Sequence, residues 1–385
     1  MVSDLAFHLA RRGHHIQVIT SQQLYEDARA SLPATEVVDG VHIHRIPTTR
    51  FGRSGLLGRA FDYASFYALM WRYIRKLARS GDIIVAKTDP PLLCIPAMNA
   101  ARQRGGLLVN WLQDVYPEVA IRLGVPLVKG PLGRALAHMR DASLRAAKAN
   151  VVVGELMAET LHQRGITDDR IHVIPNWCDD EDIQPLPSIS NALRRKWDLG
   201  NYFVIGYSGN LGRVHEFDTV LAAAERLRNN SNILFLFIGG GKKFDELARH
   251  VRQRSLDHVF RFMPYQDRAT LKYSLAVPDV HLVSLRPELE GLIVPSKFYG
   301  VAAAGRPLIA LTARDGEVAR LVRRHDCGLV VEPGDSEALV TAIRHLSENE
   351  ESLGRMGHRA RQMLDTHFSR QHAFNRWSSV LEALA

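Results

Sequence analysis

Phe203-Val204-Ile205-Gly206-Tyr207-Ser208-Gly209-Asn210-Leu211-Gly212-Arg213-Val214-His215-Glu216-Phe217 reads as a buried strand, a glycine-bearing turn and the approach to a helix. The strand part is apolar throughout and does not alternate with polar residues. That is the pattern of a parallel strand covered on both faces. Working outward, the same unit recurs. Downstream, residues 233–238, 259–262, 280–284, 307–311 and 328–331 read as strands. Upstream, so do residues 15–20, 41–46, 83–86, 107–111, 150–153 and 171–174. Helical patterns lie between most of them, which is the βαβ signature of doubly wound sheets.

At 385 residues the chain exceeds one ordinary core and fits two α/β domains of about 150–200 residues each. A polar, proline-containing stretch at 179–190 separates the two series. The expected domains are 1–180 and 181–366, with a C-terminal helix at 367–385 crossing back to the first. Tandem Rossmann-like domains leave a cleft at the carboxyl ends of their strands, where ligands bind. The beginning departs from this plan. Residues 2–12 already read as an amphipathic helix, with Leu5, Ala6, Leu9 and Ala10 on one face. A Rossmann-like domain opens with a strand and a glycine-rich turn. The expectation is a first domain without its first strand, and poor stability for a chain starting at Met1.

The net charge of +8 admits nucleic acid, an anionic membrane surface or anionic substrates as partners. Zinc-finger spacing, an aromatic RNP motif and a basic helix with heptads are all absent from the sequence, which argues against nucleic acid. No run of about 18 uncharged apolar residues suggests a membrane span. Asp4 and His8 break the apolar start, so it does not read as a signal peptide. Cys94, Cys178 and Cys327 are scattered, which suits a reducing cytoplasm and gives no metal-binding spacing.

Three stretches of the second half carry chemistry. In the turn after Tyr207, Gly209 and Asn210 would let backbone N–H groups approach a phosphate, with Arg213 and His215 adding positive charge. An ordinary βα turn would use the same glycines. Gly239-Gly240-Gly241-Lys242-Lys243 suits close approach of an anionic ligand, though a lone glycine run is also simply a turn. In Glu290-Gly291-Leu292-Ile293-Val294-Pro295-Ser296-Lys297-Phe298-Tyr299-Gly300, Pro295 suits the first position of a helix. Lys297 would then sit in the first turn, unfavourable beside the helix dipole unless an anion is present. Gly300, Ala302, Ala303, Ala304 and Gly305 are small, so this helix packs tightly.

In the first half, Asn110-Trp111-Leu112-Gln113-Asp114-Val115-Tyr116-Pro117-Glu118 ends a strand. A carboxylate at Asp114 can accept a proton or orient a hydroxyl, or it can cap the helix after Pro117. Lys87 and Asp89 end a neighbouring strand. Residues 56–79 mix Phe61, Tyr63, Phe66, Tyr67, Trp71 and Tyr73 with Arg59, Arg72, Arg75, Lys76 and Arg79. The stretch suits a helix lying on an anionic bilayer, or a core helix with a basic outer face.

The order of elements and these motifs resemble the GT-B family 4 glycosyltransferases, more narrowly the WbuB/WcaI-like transferases of bacterial surface-polysaccharide assembly. The resemblance rests on Tyr207 to Gly212, on Ile174-Pro175-Asn176-Trp177-Cys178-Asp179, on Pro295-Ser296-Lys297 with Ala303-Ala304-Gly305-Arg306-Pro307, and on the Asp114 to Glu118 segment. It implies a GT-B α/β fold and retaining, metal-independent transfer from a nucleotide-diphospho-sugar, which is a co-substrate; no other cofactor is implied. The sugar would be a hexose, deoxyhexose or N-acetylamino sugar. The implied acceptor is a glycan or polyprenyl-diphosphate-linked sugar, and the implied place is the cytoplasm or the cytoplasmic face of the inner membrane. Catalytic roles fall to Asp114, Arg213 and Lys297. Donor contacts fall to Gly209, Asn210, His215, Gly239, Gly240, Tyr265, Glu290, Pro295, Ser296 and Tyr299. The family's pair of glutamates eight apart would fall at Leu292 and Gly300, neither acidic, so Glu288 or Glu290 is the candidate replacement. A non-catalytic nucleotide-sugar binder and a sugar-nucleotide 2-epimerase share the fold and remain alternatives.

Overall fold

The computed structural model describes residues 1–23, 32–49, 51 and 55–385, with residues 56, 57, 59 and 60 described by backbone alone. Its strands are β1 Ile16–Ser21, β2 Thr35–Val38, β3 Val41–Ile46, β4 Ile83–Lys87, β5 Leu107–Leu112, β6 Ala149–Val152, β7 Ile171–Val173, β8 Phe203–Asn210, β9 Ile233–Gly240, β10 Phe260–Met263, β11 Val280–Ser284, β12 Leu308–Leu311 and β13 Gly328–Val331. The chain divides into two compact units. One comprises residues 1–153, 158–174 and 374–385; the other comprises residues 154–157 and 175–373.

The C-terminal unit holds one parallel six-stranded sheet in the order β10-β9-β8-β11-β12-β13. Counted from β8 this is 3-2-1-4-5-6, the doubly wound order, and its direction of winding reverses between β8 and β11. Both faces are covered. Ile309 and Leu311 of β12 pack on one side with the helices Asp218–Leu227 and Ser336–Glu348. Leu308 and Ala310 pack on the other with the helices Lys297–Ala303 and Glu350–Met363. Double coverage explains why these strands are apolar at most positions and do not alternate with polar residues. The carboxyl ends of β8 and β11, at the reversal, are where a ligand site belongs in such a sheet.

The N-terminal unit holds two sheets, β1-β3-β2 and the all-parallel β4-β5-β6-β7. Among the described residues no strand joins them, and the helix Val2–Arg11 precedes β1. Both sheets rest on one core, where Ile46 and Ala86 meet Phe66, Met70 and Ile74 of the helix Leu56–Leu77 and Ala97, Ala100 and Ala101 of the helix Cys94–Arg104. One face of residues 56–79 is therefore core, whereas Phe61 and Tyr63 are exposed; the side chains of Leu56 and Arg59 lie outside the described residues. Strand β2 is not evident from apolar patterning. It pairs antiparallel with β3 through a turn in which Asp39 and Gly40 have φ of 49° and 80°. Positive φ at both central residues is the hairpin turn that Asp-Gly favours.

Candidate functional site

The ends of β8 and β9 run side by side, Gly209 against Gly239 and Asn210 against Gly240. Their glycines are demanded by this packing. A Cβ on Gly239 would lie 2.2 Å from the Gly209 carbonyl oxygen, and one on Gly241 would lie 2.3 Å from Asn210 Oδ1. One on Gly240 would meet the Tyr265 ring at 2.9 Å. The glycine run thus serves contact between two turns and a ring, a packing reason that sequence alone does not separate from ligand approach. The Tyr265 ring itself is exposed, as is Asn210, and its hydroxyl stands 3.5 Å from Asn210 Oδ1. Arg213 is exposed on the same turn.

Lys297 arrives from the opposite side. The helix starts at Lys297 with Ser296 as its cap residue, so Pro295 stands before the helix rather than at its first position; such one- or two-residue shifts are ordinary at helix ends. The lysine stem passes over Gly209, where a Cβ would sit 2.7 Å from Lys297 Cε. Its ammonium lies 5.2 Å from the centroid of the buried Tyr207 ring and 3.2 Å from His215 Nε2. Desolvation pushes the Lys297 ammonium down to about 8, and among the described residues no carboxylate acts on it. His215 is buried, and its Nδ1 is 2.8 Å from the Ser284 carbonyl at the end of β11. Burial first, and Lys297 second, push the imidazole down to about 4. His215 is therefore neutral at physiological pH, a correction to its reading as an added positive charge.

One other expectation changes, and Glu290 gains structural partners. Tyr299 is 1% exposed and packs against Phe298 and Phe368, so its ring belongs to the core and not to a ligand surface. The Glu290 carboxylate accepts hydrogen bonds from Thr312 Oγ1 and from the Glu317 backbone N–H at 3.1 Å. It thereby supplies an acceptor to the start of the helix Glu317–His325, which is what unsatisfied first-turn N–H groups require. Glu288 pairs with Arg286 at 2.5 Å.

In the N-terminal unit, Asp114 follows β5 in a pocket lined by Thr88, Leu92, Cys94, Asn110, Tyr116 and Arg140, among others. Burial first, and then Asp89, push its carboxyl up to about 6, against the pull of Lys87. No side chain caps the helix Glu118–Arg122, so the capping role does not apply to Asp114. Thr88 Oγ1 fixes the turn by accepting the Gln113 N–H at 2.7 Å. Arg140, 3% exposed, donates to both Glu118 carboxylate oxygens at 2.9 and 2.8 Å and to the Tyr116 carbonyl at 2.7 Å. Glu118 is thus an anchor that holds the Asp114 loop. Sequence reading missed Thr88, Arg140, Tyr207 and Ser284, because each meets its partner only through the fold.

The Glycosyl transferase 4-like domain family matches residues 1–177, and the Glycosyl transferases group 1 family matches residues 190–363. The chain is 27% identical over 308 residues to the glycosyltransferase WbjE of Pseudomonas aeruginosa, covering 80% of this chain and 76% of the relative. It is 28% identical over 356 residues to the colanic acid biosynthesis glycosyl transferase WcaI of Escherichia coli K12, covering 87% and 85%. Its fold resembles Anabaena Alr3699/HepE, solved with UDP and glucose, at a TM-score of 0.73 and 17% identity, covering 99% of this chain and 95% of that one.

Proposed function

Because the chain belongs to the GT-B family 4 glycosyltransferases, we propose that it transfers a sugar, with retention and without a metal, from a nucleotide-diphospho-sugar to a lipid-linked glycan in surface-polysaccharide assembly. The observation that carries the donor part is Lys297. Its half-buried ammonium stands at the doubly wound reversal beside the neutral His215 and Tyr207, and among the described residues no carboxylate acts on it. A cation largely withdrawn from water and left in that state is stabilised by an anion of matching geometry. The donor diphosphate supplies one, and its charge grows as the sugar leaves. On this reading Lys297, with Arg213 of the same turn region as a second cation, would stabilise the transition state more than the ground state. Tyr265 offers an exposed ring for the base. The UDP bound in the Anabaena structure accords with such a donor. In the N-terminal unit, the Asp114 carboxylate would orient or deprotonate the acceptor hydroxyl.

The acceptor reading is supported by an apolar and basic surface on the same unit. Ile121, Leu127, Leu132 and Met139 are exposed beside Arg122, Lys129 and Arg134, and no acidic residue occurs from 119 to 140. No helix among the described residues is long and apolar enough to cross a membrane, so contact would be peripheral. Vesicle co-sedimentation checks this: pelleting with anionic but not neutral lipid is expected, and equal, negligible pelleting with both would count against it.

Thermal shift with UDP, GDP, dTDP and NAD tests the donor reading. One nucleoside diphosphate at a hundredfold excess over its Kd should stabilise the protein by about 2.7 kcal/mol. NAD should have no effect. Stabilisation by none of the diphosphates would sink the donor assignment.

A further inference from the structure

We propose that His215 is a positioning residue of the donor site, holding the Lys297 ammonium in place through a neutral acceptor so that its whole charge stays available to the diphosphate. The inference rests on the donor reading above and concerns how that site keeps its cation usable.

The direction of each hydrogen bond is fixed by chemistry. The Ser284 carbonyl, 2.8 Å from Nδ1, can only accept, and the Asn210 carbonyl also acts on the ring as an acceptor; a lysine ammonium at Nε2 selects the tautomer with its proton on Nδ1. Nε2 therefore presents a lone pair, and the ammonium of Lys297, 3.2 Å away, can only donate. The ring is located from both sides. Ser284 Oγ accepts the Glu216 N–H at 2.9 Å and donates to the Glu216 carbonyl at 2.8 Å, tying the residue after His215 to the end of β11. Tyr207 packs edge-on against the imidazole at 5.7 Å between centroids, and the same ring lies under the Lys297 ammonium.

Lys297 is thus held by an imidazole lone pair, an aromatic face and the bare backbone of Gly209. All three are neutral. A carboxylate at the position of His215 would hold the ammonium at least as firmly, but it would cancel the charge that a diphosphate needs. The unusual feature is that a half-buried lysine is positioned without an ion-pair partner among the described residues.

The test is isothermal titration of UDP, GDP and dTDP into the full chain and three variants, with circular dichroism melts to verify folding. His215→Leu removes the acceptor and should weaken the tightest of the three about 10- to 100-fold. His215→Gln keeps a neutral acceptor and should recover most of that loss. His215→Glu restores a strong acceptor together with a charge, and should bind at least as weakly as His215→Leu while remaining folded. A purely structural histidine would instead rank the variants by melting temperature. Wild-type affinity in His215→Glu would overturn the proposal. So would equal loss in His215→Gln and His215→Leu with both folded. If the wild-type chain binds none of the three diphosphates, the donor reading fails and this inference with it, a result distinct from any ranking among the variants.

Discussion

A Lys297→Met variant should bind nucleoside diphosphate about 100-fold or more weakly than wild type, yet melt at a higher temperature without ligand. The two effects share one cause. Folding withdraws much of the ammonium from water and supplies no carboxylate among the described residues, so its pKa falls from the usual 10.5 to about 8. The charged form is penalised in the folded state. By linkage, wild-type stability at pH below 8 carries the full penalty, and it rises as pH climbs from about 8 to 10.5. The size is on the order of 1–3 kcal/mol. Methionine fills similar volume without charge, so the penalty disappears and the ligand-free protein should gain a few degrees in Tm. The binding loss has the opposite sign, since charge-assisted hydrogen bonds to the diphosphate vanish. Wild-type affinity should also decline above pH 8, by up to about tenfold per unit, as the ammonium loses its proton. Titration calorimetry and melts across pH 7 to 10 read all three effects. A destabilised Lys297→Met variant with undiminished affinity would show that the lysine is structural.

The second large effect is expected at Asp114. Asp114→Asn should lower kcat by about 10²- to 10⁴-fold while leaving nucleoside diphosphate affinity unchanged, because the residue belongs to the other unit of the chain. With its carboxyl pushed up to about 6 by burial, activity that needs the ionised form should fall as pH drops through 6. The stability sign follows the same logic. A carboxyl whose pKa is raised on folding favours the protonated native state, so stability is lost as pH rises from its ordinary value of 3.8 towards 6. At pH 7 the asparagine variant should therefore be at least as stable as wild type. Steady-state kinetics against pH, beside melts of both proteins, checks this. A kcat loss accompanied by a collapse in Tm would point to a folding role instead.

Much of the fold was legible because double coverage writes itself into the sequence. Strands such as β9, and β8 as far as Tyr207, are continuously apolar, and that pattern set the sheet type, while the polar stretch at 179–190 suggested the division. The hairpin strand β2 escaped since Thr35–Val38 is exposed on most positions and lacks that signature; the Asp39-Gly40 dipeptide was its available signal. At the site, Lys297 was legible as a cation placed where a helix dipole disfavours it. Its surroundings were not. His215 lies 82 residues earlier in the chain, and only the juxtaposition of β8 with β11 brings Ser284 behind it. Tyr299 misled because a tyrosine two residues past a candidate cation reads equally as ligand contact or core, and helical periodicity could not say which. The structural partner of Glu290 was hidden for a related reason, since the helix start at Glu317 is remote in sequence.

Acceptor-dependent release of nucleoside diphosphate from UDP-, GDP- and dTDP-sugars, with a lipid extract as acceptor, tests donor-sugar transfer at Lys297 most directly. We expect release from one donor class by the wild-type chain, only when acceptor is present, and none by Lys297→Met. Silence with every donor while one diphosphate still binds would contradict transfer and leave a nucleotide-sugar binder on the same fold.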